Sequence, residues 1–262
     1  MIKNQQHRPR KRFGQHFLHD QHVISEIVAA IAPRRDDLML EIGPGLGALT
    51  CALLPHLDHL HAVELDRDLI AKLEQIGHSL GKLTIYHADA LSFSLSTLTT
   101  LPKTLRIVGN LPYNISTPLI FHCLQEVDLI QDMNFMLQKE VVDRLAANPS
   151  DSSYGRLSVM VQYHCTVDSL FDVGPEAFSP PPRVNSAIVR LVPHVTLPAI
   201  AKDLDVLSRL VAAAFGQRRK TLHNSLKAWN LDWDRLEVNP QNRAENLTVA
   251  DFVRLANSVK ID

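Results

Sequence analysis

Long apolar runs, paired cysteines and a net charge are what this chain lacks, and each lack narrows the reading. Among its 262 residues no apolar stretch approaches the roughly 18 that a membrane-crossing helix needs. The first residues are basic and polar and carry no apolar core of the secretory kind, so a cytoplasmic location is expected. Cysteine is scarce. Cys51, Cys123 and Cys165 are odd in number and far apart, which argues against a disulfide frame or a zinc site and for small buried hydrophobes in a reducing compartment. His56, Asp58, His59 and His61 cluster at a helix end and the next strand; they read as a surface group, and no metal is expected. Internal repeats and long low-complexity tracts are also missing, so the 262 residues are one large domain, or a medium domain with a small one.

Charge of either sign is not in excess: 27 bases against 28 acids leave −1. The distribution is uneven. Before Asp20 stand Lys3, Arg8, Arg10, Lys11 and Arg12 with no acid among them. Between Asp205 and Asp232 stand Arg209, Arg218, Arg219, Lys220 and Lys227, again with no acid. Two basic blocks, one near each end of the chain, point to a polyanionic partner.

What is present is a regular alternation. Ile24, Ile27, Val28 and Ile31 recur at helical spacing, so residues 21–32 should form an amphipathic helix capped by Asp20 and ended near Pro33. Strands are expected at 38–42, 60–65, 83–86, 105–109 and 133–137. Helices are expected after Gly47, through Leu69, Ile70 and Leu73, from Ser116 and Thr117 ahead of Pro118, and from about Lys139. Such short-period alternation argues for a parallel sheet covered on both faces. Residues 157–163 read as helix. Residues 167–173 and 186–192 read as strands that lack room for helical crossovers, which predicts an antiparallel edge. Beyond Pro198 the pattern is helical, with Leu204, Leu207, Leu210, Val211 and Ala214 on one face. Thr248 and Asp251 form a capping box ahead of Phe252, Leu255, Ala256 and Val259. The expected domains are 1–196 and 197–262.

Two motifs carry chemistry. Asn110-Leu111-Pro112-Tyr113 follows the strand at 105–109. Such a loop suits gripping a flat base by its exocyclic amine: the Asn oxygen and nearby carbonyls accept, Pro fixes φ, and the Tyr ring offers a stacking face. The second motif is the turn Gly43, Gly45, Gly47 between the first of these strands and its helix, with Glu64 twenty-one residues after Gly43 at the end of the next strand. Glycines allow a sharp turn and close ligand approach, and a carboxylate at Glu64 can accept from both ribose hydroxyls. This pair serves nicotinamide dinucleotides and S-adenosylmethionine alike. Asp89, ending the third strand, favours the latter, because it can accept from an adenine amine and because carboxylates suit a sulfonium better than a pyrophosphate.

These residues closely resemble the small-subunit ribosomal RNA adenine-N6,N6-dimethyltransferases and their sister erythromycin-resistance methyltransferases. The matching segments run in order along nearly the whole chain: 12–18 (Arg12 to Leu18), 41–47 (Glu41 to Gly47), 64–66, Asp89-Ala90, 110–113, 178–186 (Phe178 to Ser186) and 215–220 (Phe215 to Lys220). The resemblance implies an α/β, Rossmann-like methyltransferase domain with one antiparallel edge strand, plus a small helical domain for RNA recognition. It implies methyl transfer from S-adenosylmethionine to N6 of two adjacent adenosines in 16S ribosomal RNA of the small subunit, with a role in subunit biogenesis, by a chain expected to be monomeric. It places the cofactor on His16, Leu18, Gly43, Gly45, Glu64, Asp89 and Asn110. The base falls on Asn110, Leu111, Pro112 and Tyr113, with Phe178 stacking from the other side, and RNA phosphates on Arg10, Lys11, Arg12, Arg218, Arg219 and Lys220. A nicotinamide-dependent oxidoreductase, which leaves the Asn110 loop unexplained, and a non-catalytic RNA-binding assembly factor are the competing readings.

Overall fold

The computed structural model describes residues 16–259, so Arg10, Lys11 and Arg12 lie outside the described residues. Up to Gln138 the elements are β1 (Phe17–Leu18), α1 (Gln21–Ile31), β2 (Leu38–Ile42), α2 (Ala48–Leu53), β3 (Leu60–Glu64), α3 (Arg67–Leu80), β4 (Leu83–His87), β5 (Leu105–Asn110), α4 (Ser116–Gln125) and β6 (Ile130–Gln138). There follow α5 (Lys139–Ala146), α6 (Arg156–His164), β7 (Cys165–Val173), β8 (Phe178–Ser179), β9 (Ser186–Pro193), α7 (Leu204–Phe215), α8 (Leu222–Ser225) and α9 (Val249–Ser258). Among the described residues no helix is long and apolar enough to cross a membrane.

The main sheet has the order β4-β3-β2-β5-β6-β9-β7. Strands β2 to β6 pair in parallel, and β9 runs antiparallel to β6 with β7 beside it at the edge. The chain starts in the middle at β2, runs outward through β3 and β4, then returns to place β5 on the other flank of β2. The strand order therefore reverses between β2 and β5, and in open α/β sheets ligands bind outside the carboxyl ends at such a point. A second, two-stranded sheet joins β1 to β8, with Leu18 opposite Phe178. Neither strand announces itself in the sequence, because two residues carry no periodicity.

Local chemistry explains the element ends. Asp20 accepts from the backbone N–H groups of His22 and Val23 and starts α1. Burial of Ile24, Ile27 and Ile31 holds α1 on the sheet. Gly43, Gly45 and Gly47 all have positive φ (66°, 59° and 83°), a region costly for other residues, so the β2–α2 turn depends on them. A Cβ on Gly47 would also collide with the Ile76 side chain. Arg106 of β5 is buried and donates two hydrogen bonds to Asp132 of β6, one to Asp37, and others to the Ile31 and Ala32 carbonyls at the end of α1. His59, just before β3, is bonded to Thr84 of β4, and His61 of β3 to Tyr86 of β4.

The chain divides into two compact units, one of residues up to Val142 with Asp168–Val192, the other of Asp143–Val167 with Pro193 onward. The second unit thus begins four residues before the expected cut after 196, and it also takes in residues 143–167, which the sequence reading left in the first domain. The reason is packing: α6 lies against α7 and α9. Within this unit Tyr154 is buried, its hydroxyl donates to the Leu247 carbonyl at 2.9 Å, and its ring meets Phe215 edge-on, with Phe252 behind. The capping box of Thr248 and Asp251 forms as the sequence predicts.

Candidate active site

One cavity of about 280 Å³ lies at the carboxyl ends of β2, β3, β4 and β5, at the reversal point. It draws its wall from segments distant in sequence: β1, the glycine turn, the residues after β3 and β4, and the loop after β5. Ten residues named from the sequence come together in it: His16, Leu18, Gly43, Gly45, Glu64, Asp89, Asn110, Leu111, Pro112 and Tyr113.

Glu64 is almost fully buried. One carboxylate oxygen accepts from Gly45 N–H at 3.1 Å and the other from Asp66 N–H at 2.7 Å. Burial pushes its pKa up, and the two N–H groups offset part of that rise. Each oxygen keeps a lone pair for a ligand hydroxyl. Asp89 is exposed, and its Oδ1 accepts from Leu91 N–H at 2.9 Å, so it caps its own turn while lining the cavity.

Asn110 ends β5. Its Nδ2 donates to the His16 carbonyl at 3.0 Å. A carbonyl can only accept, so this bond fixes which way the amide faces and leaves Oδ1 as the acceptor. Leu111 N–H donates to the Met136 carbonyl and Ile115 N–H to the Pro112 carbonyl, which braces the loop from both sides. Tyr113 is half-buried; its hydroxyl is bonded to Ser186 Oγ at 2.7 Å, and burial raises its pKa against the effect of that bond. The His16 ring stacks on Tyr113 with centroids 5.6 Å apart, while its Nδ1 donates to the Pro180 carbonyl at 2.8 Å. A base sandwiched between two rings needs about 7 Å, two separations of about 3.5 Å, so none fits between these rings as they stand.

Phe178 corrects an expectation. It does not line the cavity. It is 2% exposed and packs with Leu18, Ile27 and Ile188 in the core under β1. Pairing of β8 with β1 turns its ring inward, and the sequence could not show that pairing. Arg218, Arg219 and Lys220 lie exposed just after α7 in the second unit, where Arg218 donates to the Ser152 carbonyl. Glu41 is the site residue the sequence reading passed over. It stood inside a matched segment without a role, yet it lines the cavity at 2% exposure, and Thr50 Oγ1 donates to it at 2.6 Å.

Among the described residues the wall contains three carboxylates, Glu41, Glu64 and Asp89, and no Lys or Arg. Such a donor set fits a cationic nucleoside, with Glu64 for ribose hydroxyls and acidic charge for a sulfonium and ammonium. It suits a pyrophosphate poorly, which disfavours a dinucleotide. S-adenosylmethionine therefore fits the residues present.

Comparison with known proteins agrees. The profile of the ribosomal RNA adenine dimethylase family matches residues 6–260. The chain is 56% identical over 254 residues to the ribosomal RNA small subunit methyltransferase A of Alcanivorax borkumensis, covering 96% of this chain and 90% of that protein. It is 56% identical over 261 residues to the protein of the same name from Pseudomonas fluorescens, covering 99% and 97%. Among solved structures, a dimethyladenosine transferase from Plasmodium falciparum is 29% identical with a TM-score of 0.75, covering 92% of this chain and 96% of that one. The 23S rRNA methyltransferase ErmE has a TM-score of 0.74 at 24% identity, over 93% and 99% of the two chains, a likeness of fold.

Proposed function

Since the chain belongs to the ribosomal RNA adenine dimethylase family, we propose that its cavity dimethylates adenine N6 on 16S ribosomal RNA of the small subunit, the chain acting as a monomer. It is an S-adenosylmethionine-dependent ribosomal RNA adenine methyltransferase. The relatives named for the small subunit support the choice of RNA. When bound, S-adenosylmethionine supplies an electrophilic methyl group. Glu64, Asp89, the glycine turn and the His16–Leu18 segment would hold it.

The observation that carries the reading is the fixed amide of Asn110. With Nδ2 committed to the His16 carbonyl, Oδ1 accepts one N6–H of an adenine. The Leu111 carbonyl is the better second acceptor, because the Pro112 carbonyl already receives Ile115 N–H. Two acceptors on one amine draw its lone pair out of the ring and aim it, and positioning of this kind contributes up to about 7–11 kcal/mol in favourable cases. The target base leaves its stack to arrive here, and the Tyr113 ring receives one face of it. No residue needs to act as a strong base, since alkylation makes the N6 proton acidic. Exposed Arg218, Arg219 and Lys220 meet phosphates.

Transfer of labelled methyl to under-methylated small subunits tests this. The wild-type chain should label them. Asn110→Ala should lose on the order of 100-fold in rate, the scale for removing one fixed dipole from a reaction centre. It should still bind the small subunit. An unlabelled subunit with wild-type enzyme, or full activity in Asn110→Ala, would reject the reading.

A further inference from the structure

Glu41 is the carboxyl group in the cavity that the methyl-transfer geometry leaves without work. It sits in β2, beside the ribose-binding Glu64 of β3, at the floor of the cavity. Thr50 of α2, itself fully buried, donates to Oε2. Among the described residues the charged or titratable groups around it are few. Glu64 faces it from β3, with Asp66 behind; Asp89 lies on the turn after β4, His16 on the segment leading into β1, and the Cys51 thiol on α2. Lys72 of α3 acts on Cys51, and among the described residues no Lys or Arg enters the cavity wall. Burial, with Glu64 adding to it and Thr50 opposing it, pushes the Glu41 pKa up to about 7. A buried carboxyl among other acids and without a cation is favoured in its neutral form.

We propose that Glu41 answers the positive charge of the methyl donor: it carries a proton in the ligand-free protein and gives that proton to solvent when a cationic ligand enters the cavity. The balance is simple. The carboxyl O–H bond breaks, its electron pair stays on Glu41 as carboxylate, and the proton goes to buffer. The cation then neutralises a charge the protein otherwise keeps covered, so donor affinity rises with pH through neutrality. A carboxylate at Glu41 in the ligand-free cavity would face Glu64 with the Thr50 hydrogen bond as a partial offset to burial and repulsion; the cavity avoids that until a cation arrives. The inference rests on the assignment of this cavity to S-adenosylmethionine.

Calorimetric titration of the full chain in two buffers of different ionisation enthalpy at pH 6.5 counts the protons. S-adenosylmethionine should release roughly 0.7–0.8 of a proton more from the wild type than from Glu41→Gln, and donor affinity of the wild type should rise roughly tenfold from pH 6 to pH 8 relative to that variant. Adenosine, which is uncharged, should release no such excess. S-adenosylhomocysteine keeps the ammonium and lacks the sulfonium, so it identifies which charge Glu41 meets. Equal proton release by wild type and Glu41→Gln on binding the donor overturns the proposal, as does equal release by adenosine and donor. If Glu41→Gln does not fold, infrared difference spectra of the wild type decide: donor addition must remove a protonated-carboxyl band, and its persistence refutes the claim. A wild type that fails to bind the donor at all refutes the cavity assignment instead.

Discussion

Two buried polar side chains differ in what the fold offers them: Glu41 has the Thr50 hydroxyl, and Asn134 has no partner among the described residues. Glu41 titrates higher in the folded chain than its ordinary 4.5, so the native state binds more protons than the unfolded one. Stability present below pH 4.5 is therefore lost as pH rises to about 7, by about 3 kcal/mol. Glu41→Gln should flatten that part of the profile and be the more stable protein at pH 8, as measured by urea unfolding at pH 5 and pH 8. Asn134 of β6 is 4% exposed, and neither its Oδ1 nor its Nδ2 finds a partner among the described residues. It borders a small apolar cavity beside Ile27, Met136 and Ile188. An unmet buried amide costs about 1–3 kcal/mol, so Asn134→Leu should raise the urea midpoint with an unchanged slope. Sequence could name Asn110 because its loop is local: strand, Asn, Pro and Tyr stand in a row. It could not assign Glu41, whose ionisation depends on Thr50 and Glu64, brought alongside only by the folded sheet. Phe178 failed for the same reason, since its direction is set by a strand partner 160 residues earlier, Leu18.

Elements were legible where one periodicity ran long enough. The strand at 38–42 and the helix from Gln21 fall where the pattern puts them. The start of β6 does not: the apolar pattern begins at 133 and the strand at Ile130, and the acidic Asp132 becomes a buried strand residue only by pairing with Arg106 and Arg190. Arg106 thus holds β5, β6 and the end of α1 together. Arg106→Leu should cost about 3–5 kcal/mol, the scale for leaving one buried charge without its partner. Thermal unfolding would show it, and a Tm unchanged from wild type would mean that Arg190 alone satisfies Asp132.

For the whole molecule, affinity for RNA is tied to salt. If Arg218, Arg219 and Lys220 neutralise phosphates, replacing all three by Ala should weaken binding uniformly across sequences. It should also flatten the log–log salt slope by about 1 for each phosphate left without its cation. An unchanged slope would move the RNA interface elsewhere. The helical unit was only half legible. Residues beyond Pro198 declare it by composition, but nothing in residues 157–163 says that their apolar side chains belong with helices 40 to 90 residues downstream.

The chain passes between its two units three times, at 142/143, 167/168 and 192/193. The helical unit is therefore woven in, not appended. A chimera that exchanged only the tail after 196 with a relative would graft foreign helices onto a native α6, so an exchange of this unit has to carry both segments together.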